Sequence, residues 1–413
     1  MRVKNNDMLH NQSISSLSKD ILRTTVSNIS GNCKSWLNQY AYYVPQEVFN
    51  RKKHMRGLRC MVKTIIGMLV KPHLPTKKNI YIFQGLRNKV YMAAFSPDSV
   101  VIVGSHLEKK YADTHGYSFC WSFPIRSAID SKMIRDWNYP AMRQLKFWTK
   151  KLSRYSNAIF FLQEDTQSEG TFFVYVGRLL PSTVSSVCIQ HGYFLENIQF
   201  RLDGTLSDFN FVMDQRQSEL IGANRLTTFV IGLPYIATAS PPELLNVILV
   251  GTGNATDGPD YYQRCINTYT NIHNMLANVI GVKVSYRPHP NEYNDEKLIA
   301  ELTNSFSLVE SRDKLEQLNG PRAIFIGTIS TLLYEAKVAG HFVAHFKFES
   351  YLSDMTPIFD YDFEFDENEM SKLLQWILSI KNNNILEQES SIDNKLDPLQ
   401  RFNLALREAA LID

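Results

Sequence analysis

The sequence predicts an α/β protein with two doubly wound domains, and three observations predict it. Short apolar runs rich in β-branched and aromatic residues alternate with segments of helical spacing, which is typical of parallel sheets covered on both faces. This alternation occurs twice, on either side of a proline-containing break at residues 231–242. The chain has 413 residues, which is more than one hydrophobic core usually supports.

The first series predicts one helix and five strands. The helix covers Met133–Tyr155 and is interrupted at Pro140, because proline removes a helical hydrogen bond. The near-continuous apolar character of the strands predicts burial on both faces. These strands are Ile80–Phe83, Val100–Val103, Ala158–Leu162, Phe172–Val176 and Val184–Ile189.

The second series predicts four further strands. It begins at Asn246 with a buried strand that enters the glycine turn Gly251-Thr252-Gly253. The other strands cover 282–286, 323–326 and 341–346, and helices are predicted over 262–280 and 331–338. Apolar residues at helical spacing from Met370 to Leu378 predict a further helix that packs against another element.

These patterns divide the chain into four predicted parts. The first two parts are separated by Pro72 and Pro75, which end the helical pattern, and by the strand-like pattern that follows. The proline-containing break before residue 241 separates the two α/β domains. The parts are a basic helical N-terminal extension (1–78), a first α/β domain (79–240), a second α/β domain (241–365) and a helical tail (366–413).

Composition and charge exclude several classes of protein. The net charge is +3, a balance that does not favour nucleic acid as a partner. The five cysteines are widely spaced and form no CxxC pair, so neither a disulfide framework nor a zinc site is expected. No apolar run reaches the ~18 residues of a membrane span, and the first residues lack a signal-peptide pattern, so we expect a cytoplasmic protein.

Residues 51–78 depart from this charge balance. They contain nine Lys and Arg and no Asp or Glu, interleaved with apolar residues at helical spacing up to Pro72. Such a helix suits an anionic membrane surface, which would place the protein peripherally on the inner face of the bacterial plasma membrane. A helix that packs into the core and leaves a basic face in solvent is an equal alternative.

Polar residues that directly follow strands are the main candidates for chemistry, because ligands of open α/β sheets bind beyond the carboxyl ends of the strands. In the first domain, Gln190-His191-Gly192 follows a strand. The imidazole of His191 could act as a general base near neutral pH. A histidine that only completes the turn is the alternative.

In the second domain, two strand ends carry groups suited to an anion. Arg287 and His289 follow one strand, and Pro288 and Pro290 restrict the loop that holds them. The segment Thr328-Ile329-Ser330-Thr331 joins another strand to a helix, whose N-terminus offers hydroxyls and backbone N–H groups. Both sites therefore suit a phosphate. The alternatives are a purely structural loop with two prolines and Ser and Thr that act only as helix N-caps.

Two further features qualify this site. Glu335 lies one turn into the same helix and could accept hydrogen bonds from ribose hydroxyls, although a solvated or ion-paired side chain is as good an interpretation. Gly251-Thr252-Gly253 is only half of a dinucleotide fingerprint, and the chain has no GxxxxGK[ST] or HExxH motif. Redox, P-loop and zinc-protease chemistry are therefore not favoured, and no cofactor or metal is expected.

The motifs of the second domain resemble those of bacterial GT-B sialyltransferases and polysialyltransferases of surface polysaccharide synthesis. His289-Pro290, followed by Ser330-Thr331, is similar to their HP and S-S/T motifs. In those families the histidine and the hydroxyl pair contact the CMP phosphate of the donor. The resemblance covers residues 80 to 345 and implies two Rossmann-type domains that face a central cleft.

The general base is less well matched. Those families carry a D/E-D/E-G motif in the first domain, whose second acid is the base. Gln190-His191-Gly192 replaces both acids, but a histidine can abstract the same proton, so the base is assigned to His191. Ser168-Glu169-Gly170 keeps one acid, which makes Glu169 the rival candidate. A His-Gly turn with a later HP pair also resembles the CDP-glycerol glycerophosphotransferases of teichoic acid synthesis.

The resemblance implies transfer of a sialic-acid-like nonulosonate from a CMP-sugar to an oligosaccharide or lipid-linked glycan, in capsule, O-antigen or lipooligosaccharide synthesis. Gln190 and Gly192 would then lie on the acceptor side, and the anion-binding groups of the second domain would stabilise the departing CMP without a metal. A nucleotide-sugar epimerase and a non-catalytic nucleotide-binding envelope protein are the alternatives.

Overall fold

The computed structural model describes most of the chain and divides it into two compact units. Unit 1 contains the described residues up to 190, together with 207–234 and 399–412, and unit 2 contains those between 235 and 398. The described residues are 61–128, 139–163, 165, 168–190, 207–221, 227–242, 244–251, 259–309, 312–328, 330–347, 359–382 and 396–412.

Unit 1 alternates strands and helices. Its strands are β1 (Asn79–Gln84), β2 (Val100–Gly104), β3 (Ser118–Trp121), β4 (Asn157–Leu162), β5 (Val184–Ile189), β6 (Phe209–Val212) and β7 (Thr228–Val230). Its helices before the break are α1 (residues 61–69), α2 (Lys89–Met92), α3 (His106–His115), α4 (residues 123–128), α5 (Tyr139–Leu152), α6 (Ser168–Leu179) and α7 (Gln215–Ile221).

The strands of unit 1 form one parallel sheet. Their order is β3-β2-β1-β4-β5-β6-β7. Apolar clusters cover both faces, with Phe160 and Trp148 buried on one side and Phe83 and Phe161 on the other. The order reverses between β1 and β4, which makes the carboxyl ends of these two strands the topological switch point of the sheet.

Unit 2 repeats this architecture with fewer strands. They are β8 (Leu245–Val250), β9 (Val282–Arg287), β10 (Ala323–Gly327), β11 (Phe342–Phe346) and β12 (Phe363–Phe365), in the parallel order β12-β11-β10-β8-β9. The switch point lies between β8 and β10. The helices are α8 (Pro259–Leu276), α9 (Glu296–Ser305), α10 (Lys314–Leu318), α11 (Thr331–Val338) and α12 (Met370–Asn382).

The last helix, α13 (Pro398–Glu408), packs on unit 1. Phe402 is fully buried there, and its ring stacks on Tyr91 with 4.4 Å between ring centroids. Arg401 Nη2 donates to the carbonyl oxygen of Leu233 (2.8 Å). The predicted helical tail therefore contributes one helix to each unit, α12 to unit 2 and α13 to unit 1.

The predicted class, two doubly wound parallel-sheet α/β domains, is confirmed, but one predicted strand is wrong. Phe172–Val176 lies within helix α6. This helix is sandwiched between the sheet and α5, so that the Phe173 ring lies 4.6 Å from that of Phe160 and 5.1 Å from that of Trp148. A short run that is apolar on all sides has no periodicity that distinguishes a buried helix from a buried strand.

The described part of the helix predicted around Pro140 begins at Tyr139. Pro140 is the second residue of α5, where its missing N–H costs no hydrogen bond. The preceding residues of the predicted helix, 133–138, lie outside the described residues. Among the described helices, none has both the length and the apolar character that crossing a membrane requires.

Candidate functional site

The carboxyl edge of unit 2 brings three strand ends side by side. β8 lies between β9 and β10, and Gly251, the residue after β8, donates its N–H to the carbonyl oxygen of Arg287 (2.9 Å). Thr328 follows β10 directly. The residues singled out after β8, β9 and β10 therefore line one edge at the switch point, where doubly wound sheets bind ligands.

A buried carboxylate fixes the loop after β9. Glu292 is fully buried and accepts hydrogen bonds from the His289 backbone N–H (2.6 Å) and from the Tyr286 hydroxyl (3.0 Å). Burial is the larger cause that raises the pKa of Tyr286, and the charge of the nearby Glu292 raises it further. The hydroxyl therefore stays protonated and acts as a donor. A Cβ at Gly251 would lie 2.5 Å from Glu292 Oε2, so this close packing requires glycine.

His289 is held as a neutral hydrogen-bond donor. The Asn291 backbone N–H donates to His289 Nδ1 (3.2 Å), so the proton of the neutral ring resides on Nε2. Burial is the larger cause that lowers the pKa of His289 below its usual 6.5, and the charge of Arg287 lowers it further. At neutral pH the ring therefore presents one Nε2–H group in a fixed orientation.

Arg287 provides an oriented cation beside it. Its Nε donates to Gln317 Oε1 (2.6 Å), and within the described residues its Nη groups donate to no other group. Burial is the main cause that lowers the pKa of Arg287, but a guanidinium remains protonated near neutral pH. Both Nη groups are thus available to an anion.

The start of α11 supplies hydroxyls. Ser330 is the N-cap of the helix, and its Oγ accepts a hydrogen bond from the Leu332 N–H (3.3 Å). Thr328 is buried, and its Oγ1 has no hydrogen-bond partner among the described residues. A buried unpaired hydroxyl next to a helix N-terminus suits a bound anion. Thr331 is the first residue of this helix.

Glu335 takes the ion-paired form that the sequence left open. Its Oε1 lies 2.7 Å from the Lys314 Nζ, and its side chain is almost fully buried in the second turn of α11. The Lys314 Nζ also lies 4.9 Å from the ring centroid of Tyr235. A contact between Glu335 and a ribose stays a prediction.

The switch point of unit 1 carries a buried acid. Glu169, at the start of α6, is 3% exposed, and its Oε2 accepts from Arg126 Nη2 (2.8 Å) and Gln84 Nε2 (3.4 Å). The Gln163 backbone N–H donates to Gln84 Oε1 (3.1 Å), which orients this amide. The second oxygen, Glu169 Oε1, is buried and has no hydrogen-bond partner among the described residues.

Gln190 is bound to its own unit. Its Oε1 accepts from the Met213 N–H (2.9 Å), and its Nε2 donates to Gln217 Oε1. Pro290 is exposed, and its carbonyl oxygen accepts from Asn294 Nδ2 (3.2 Å). Four candidate residues lie outside the described residues: His191, Gly192, Thr252 and Gly253.

Several residues of these sites were not singled out from the sequence. Gln84 ends β1 and could have been found by the strand-end criterion that found Arg287. Glu292, Gln317, Lys314 and Arg126 carry no such signal, because tertiary packing brings them to the edge. In the described part of the chain, no group of His, Cys, Asp or Glu is arranged to hold a metal ion.

Neither a protein-family model nor a curated protein sequence matches this chain. Solved structures do match it. A lipopolysaccharide outer core galactosyltransferase WaaB, in its apo form, matches with a TM-score of 0.50 and 12% identity over 80% of this chain and 99% of that chain. A UDP-GlcNAc 2-epimerase from Neisseria meningitidis, bound to UDP-GlcNAc, matches with a TM-score of 0.51 and 12% identity over 81% of this chain and 100% of that chain.

A third structure, a putative UDP-N-acetylglucosamine 2-epimerase from Listeria monocytogenes, has a TM-score of 0.50 and 13% identity over 81% of this chain and 95% of that chain. At such identities the likeness establishes the fold, which is the GT-B type shared by these glycosyltransferases and epimerases. The predicted GT-B-like fold class is therefore confirmed.

Proposed function

We propose that this chain is a glycosyltransferase that uses a nucleotide-sugar donor and binds its nucleotide at the carboxyl edge of unit 2. The observation that carries the proposal is the set of donors fixed there: the Arg287 guanidinium, the His289 Nε2–H group and the hydroxyls at the start of α11. The fold, which is shared with a galactosyltransferase and two epimerases, supports a nucleotide-sugar enzyme.

These groups suit a phosphate that gains charge during the reaction. In the proposed step, an acceptor hydroxyl oxygen bonds to the anomeric carbon, and the bond from that carbon to the donor phosphate oxygen breaks. The leaving nucleotide takes the electron pair, and Arg287 and His289 stabilise its charge. Because Gln317 and Asn291 orient both side chains beforehand, little reorganisation is needed as the charge develops.

The acceptor proton requires a base, and Glu169 and His191 are the two candidates. Glu169 is supported by its buried Oε1, which no described residue satisfies, while Arg126 and Gln84 hold the other oxygen. A carboxylate held in this way can accept a proton in a defined direction. His191 keeps its support from the sequence alone, where it comes two residues after β5 and directly before Gly192.

The finer proposal is that the donor is a CMP-linked nonulosonate and the acceptor a glycan of surface polysaccharide synthesis. Its support is the His289-Pro290 and Ser330-Thr331 pairs. We expect CMP to raise the melting temperature more than UDP or GDP, since only ligands that prefer the folded state stabilise it. Stabilisation by UDP or GDP in place of CMP would refute the cytidine assignment and leave the transferase proposal standing.

A nucleotide-sugar epimerase is the second candidate, because two of the matched structures carry that activity in their names. Incubation of the stabilising nucleotide sugar without any acceptor separates the two. A transferase leaves the sugar configuration unchanged until a glycan is added, and then releases the nucleotide. Isomerised nucleotide sugar without acceptor would support the epimerase, and release of CMP from CDP-glycerol would support a glycerophosphotransferase.

A further inference from the structure

Helix α1 packs on unit 1 through its small and polar face. The Thr64 hydroxyl donates to the Ser127 carbonyl oxygen (2.9 Å), and Gln144 Nε2 donates to the Gly67 carbonyl oxygen (2.9 Å), both in buried positions. A Cβ at Gly67 would lie 3.0 Å from Pro124 Cα, so this face lies directly against α4. The orientation of α1 is therefore defined by specific contacts.

The opposite face of α1 is apolar and exposed. Val62, Ile65, Ile66 and Leu69 are 48%, 45%, 49% and 73% exposed, and their spacing places them on one side of the helix. We call these four residues the α1 stripe. A surface helix normally turns its apolar residues toward the core, and α1 does the reverse. Contiguous exposed apolar residues of this kind mark an interaction surface.

The charge around the α1 stripe indicates what it binds. Residues 51–78 contain nine of the 44 Lys and Arg and no acid, so the rest of the chain has a net charge of −6. Lys63 and Lys71 are exposed and have no carboxylate partner within the described residues. An anionic surface is attracted to this segment and repelled by the remainder, which favours a single orientation.

We propose that α1 binds the surface of an anionic lipid bilayer, with the α1 stripe in the headgroup region and Lys63 and Lys71 near lipid phosphates. A bilayer accommodates aliphatic side chains without a complementary pocket, and its anionic headgroups match the acid-free segment. This binding is independent of nucleotide-sugar chemistry, so it goes beyond the proposed function. The exposure of the α1 stripe favours it over the alternative in which residues 61–69 pack into the core.

Flotation of the full chain with lipid vesicles tests the proposal. We expect it to float with vesicles containing about one third phosphatidylglycerol and not with pure phosphatidylcholine, and to dissociate at high salt. Replacing the α1 stripe (Val62→Gln, Ile65→Gln, Ile66→Gln and Leu69→Gln) should lower the vesicle partition coefficient at least ~10-fold. The variant should still fold, because the four positions are exposed and glutamine has a high helix propensity.

A matched control makes the same exchange elsewhere. Leu107 and Ile280 are 68% and 89% exposed, and Leu107→Gln with Ile280→Gln should leave vesicle binding unchanged. Nucleotide affinity should be the same in all variants, so loss of vesicle binding with intact nucleotide binding separates this inference from the proposed function.

Three results would overturn the proposal. The wild-type chain could fail to float with anionic vesicles. The four-glutamine variant could float as well as the wild type. A dimer seen by sedimentation velocity, and lost only in that variant without vesicle binding, would assign the stripe to a second copy of the chain.

Discussion

The two units have the same doubly wound architecture, but their switch points carry opposite chemistry. In unit 1, β1 ends at Gln84 and Gln163 comes directly after β4, and both glutamines lie beside the buried carboxylate of Glu169. In unit 2, the corresponding edge carries Arg287, the neutral His289 and hydroxyls at a helix N-terminus. One edge offers an acceptor for a proton, and the other offers donors for an anion.

This difference shows where the specificity of such a fold resides. The sheet order fixes which strand ends are adjacent, and it does so equally in both units. Under the proposed function, the residues that follow those ends decide the charge of the group that binds there. We therefore expect substitutions at the edge of unit 1 to change turnover and those at the edge of unit 2 to change nucleotide affinity.

The largest effect is expected on turnover. Of the variants Glu169→Gln and His191→Ala, the one that removes the base should lower turnover by ~10²–10⁴-fold and leave nucleotide affinity unchanged. Steady-state rates with saturating donor, combined with calorimetric nucleotide binding, measure both quantities. Normal turnover in both variants would contradict a base-assisted transfer by this chain.

Acidification should destabilise unit 2. His341 is fully buried, and burial is the main reason that its pKa is lowered to about 4. Its Nδ1 accepts from the Ala323 N–H, and its Nε2 donates to the Leu318 carbonyl oxygen. As the pH falls, His341 binds a proton in the unfolded chain before it does so in the folded chain. The contribution of His341 to the free energy of unfolding is therefore fully present above pH 6.5 and is lost toward pH 4, by about 3 kcal/mol in total.

Hydrogen exchange of the β10 and β11 amides between pH 7.5 and 4.5 measures this loss. His341→Gln, which can still donate to Leu318, should remove most of the pH dependence, whereas His115→Gln, an exposed histidine of unit 1, should not alter it. A pH dependence that survives His341→Gln would assign the effect to another group, such as His345, whose pKa burial also lowers.

Nucleotide affinity should depend on the edge of unit 2. Arg287→Gln and His289→Ala each remove a donor to the phosphate, so calorimetry should show about 10–100-fold weaker binding. Arg264→Gln provides the matched control, because Arg264 lies in the same unit in a surface ion pair with Glu367. Equal affinity in the three variants would place the nucleotide elsewhere.

The smallest effect is expected at the start of α11. Ser330→Ala removes the N-cap hydrogen bond to Leu332 and should cost about 1 kcal/mol of stability, whereas Ser330→Gly should cost only a few tenths. Urea unfolding of the two variants measures this difference. If both variants match the wild type, Ser330 does not act as a cap in solution.

Much of the fold follows from sequence patterning. The predicted strands at 80–83, 100–103, 158–162 and 184–189 agree with β1, β2, β4 and β5, because strands buried on both faces are continuously apolar. The same feature misassigned Phe172–Val176, which is buried on all sides in a helix. The amphipathic pattern of α13 does not specify which unit it contacts, so its return to unit 1 requires the structure.

The candidate site follows from sequence only where a residue comes directly after a strand. This criterion found Arg287, His289 and Thr328, since carboxyl ends of parallel strands share an edge. It could not find Gln317 or Glu292, which orient those residues from outside the strand ends. Positioning residues of this kind depend on tertiary contacts that local spacing does not encode.

Hydrogen exchange with and without nucleotide compares both switch points in one experiment. We expect CMP, or whichever nucleotide stabilises the chain, to protect backbone amides at 287–292 and 328–335 in unit 2 and to leave those at 84–87 and 163–169 in unit 1 unchanged. Protection at the unit 1 edge alone, with none at 287–292, would contradict this expectation.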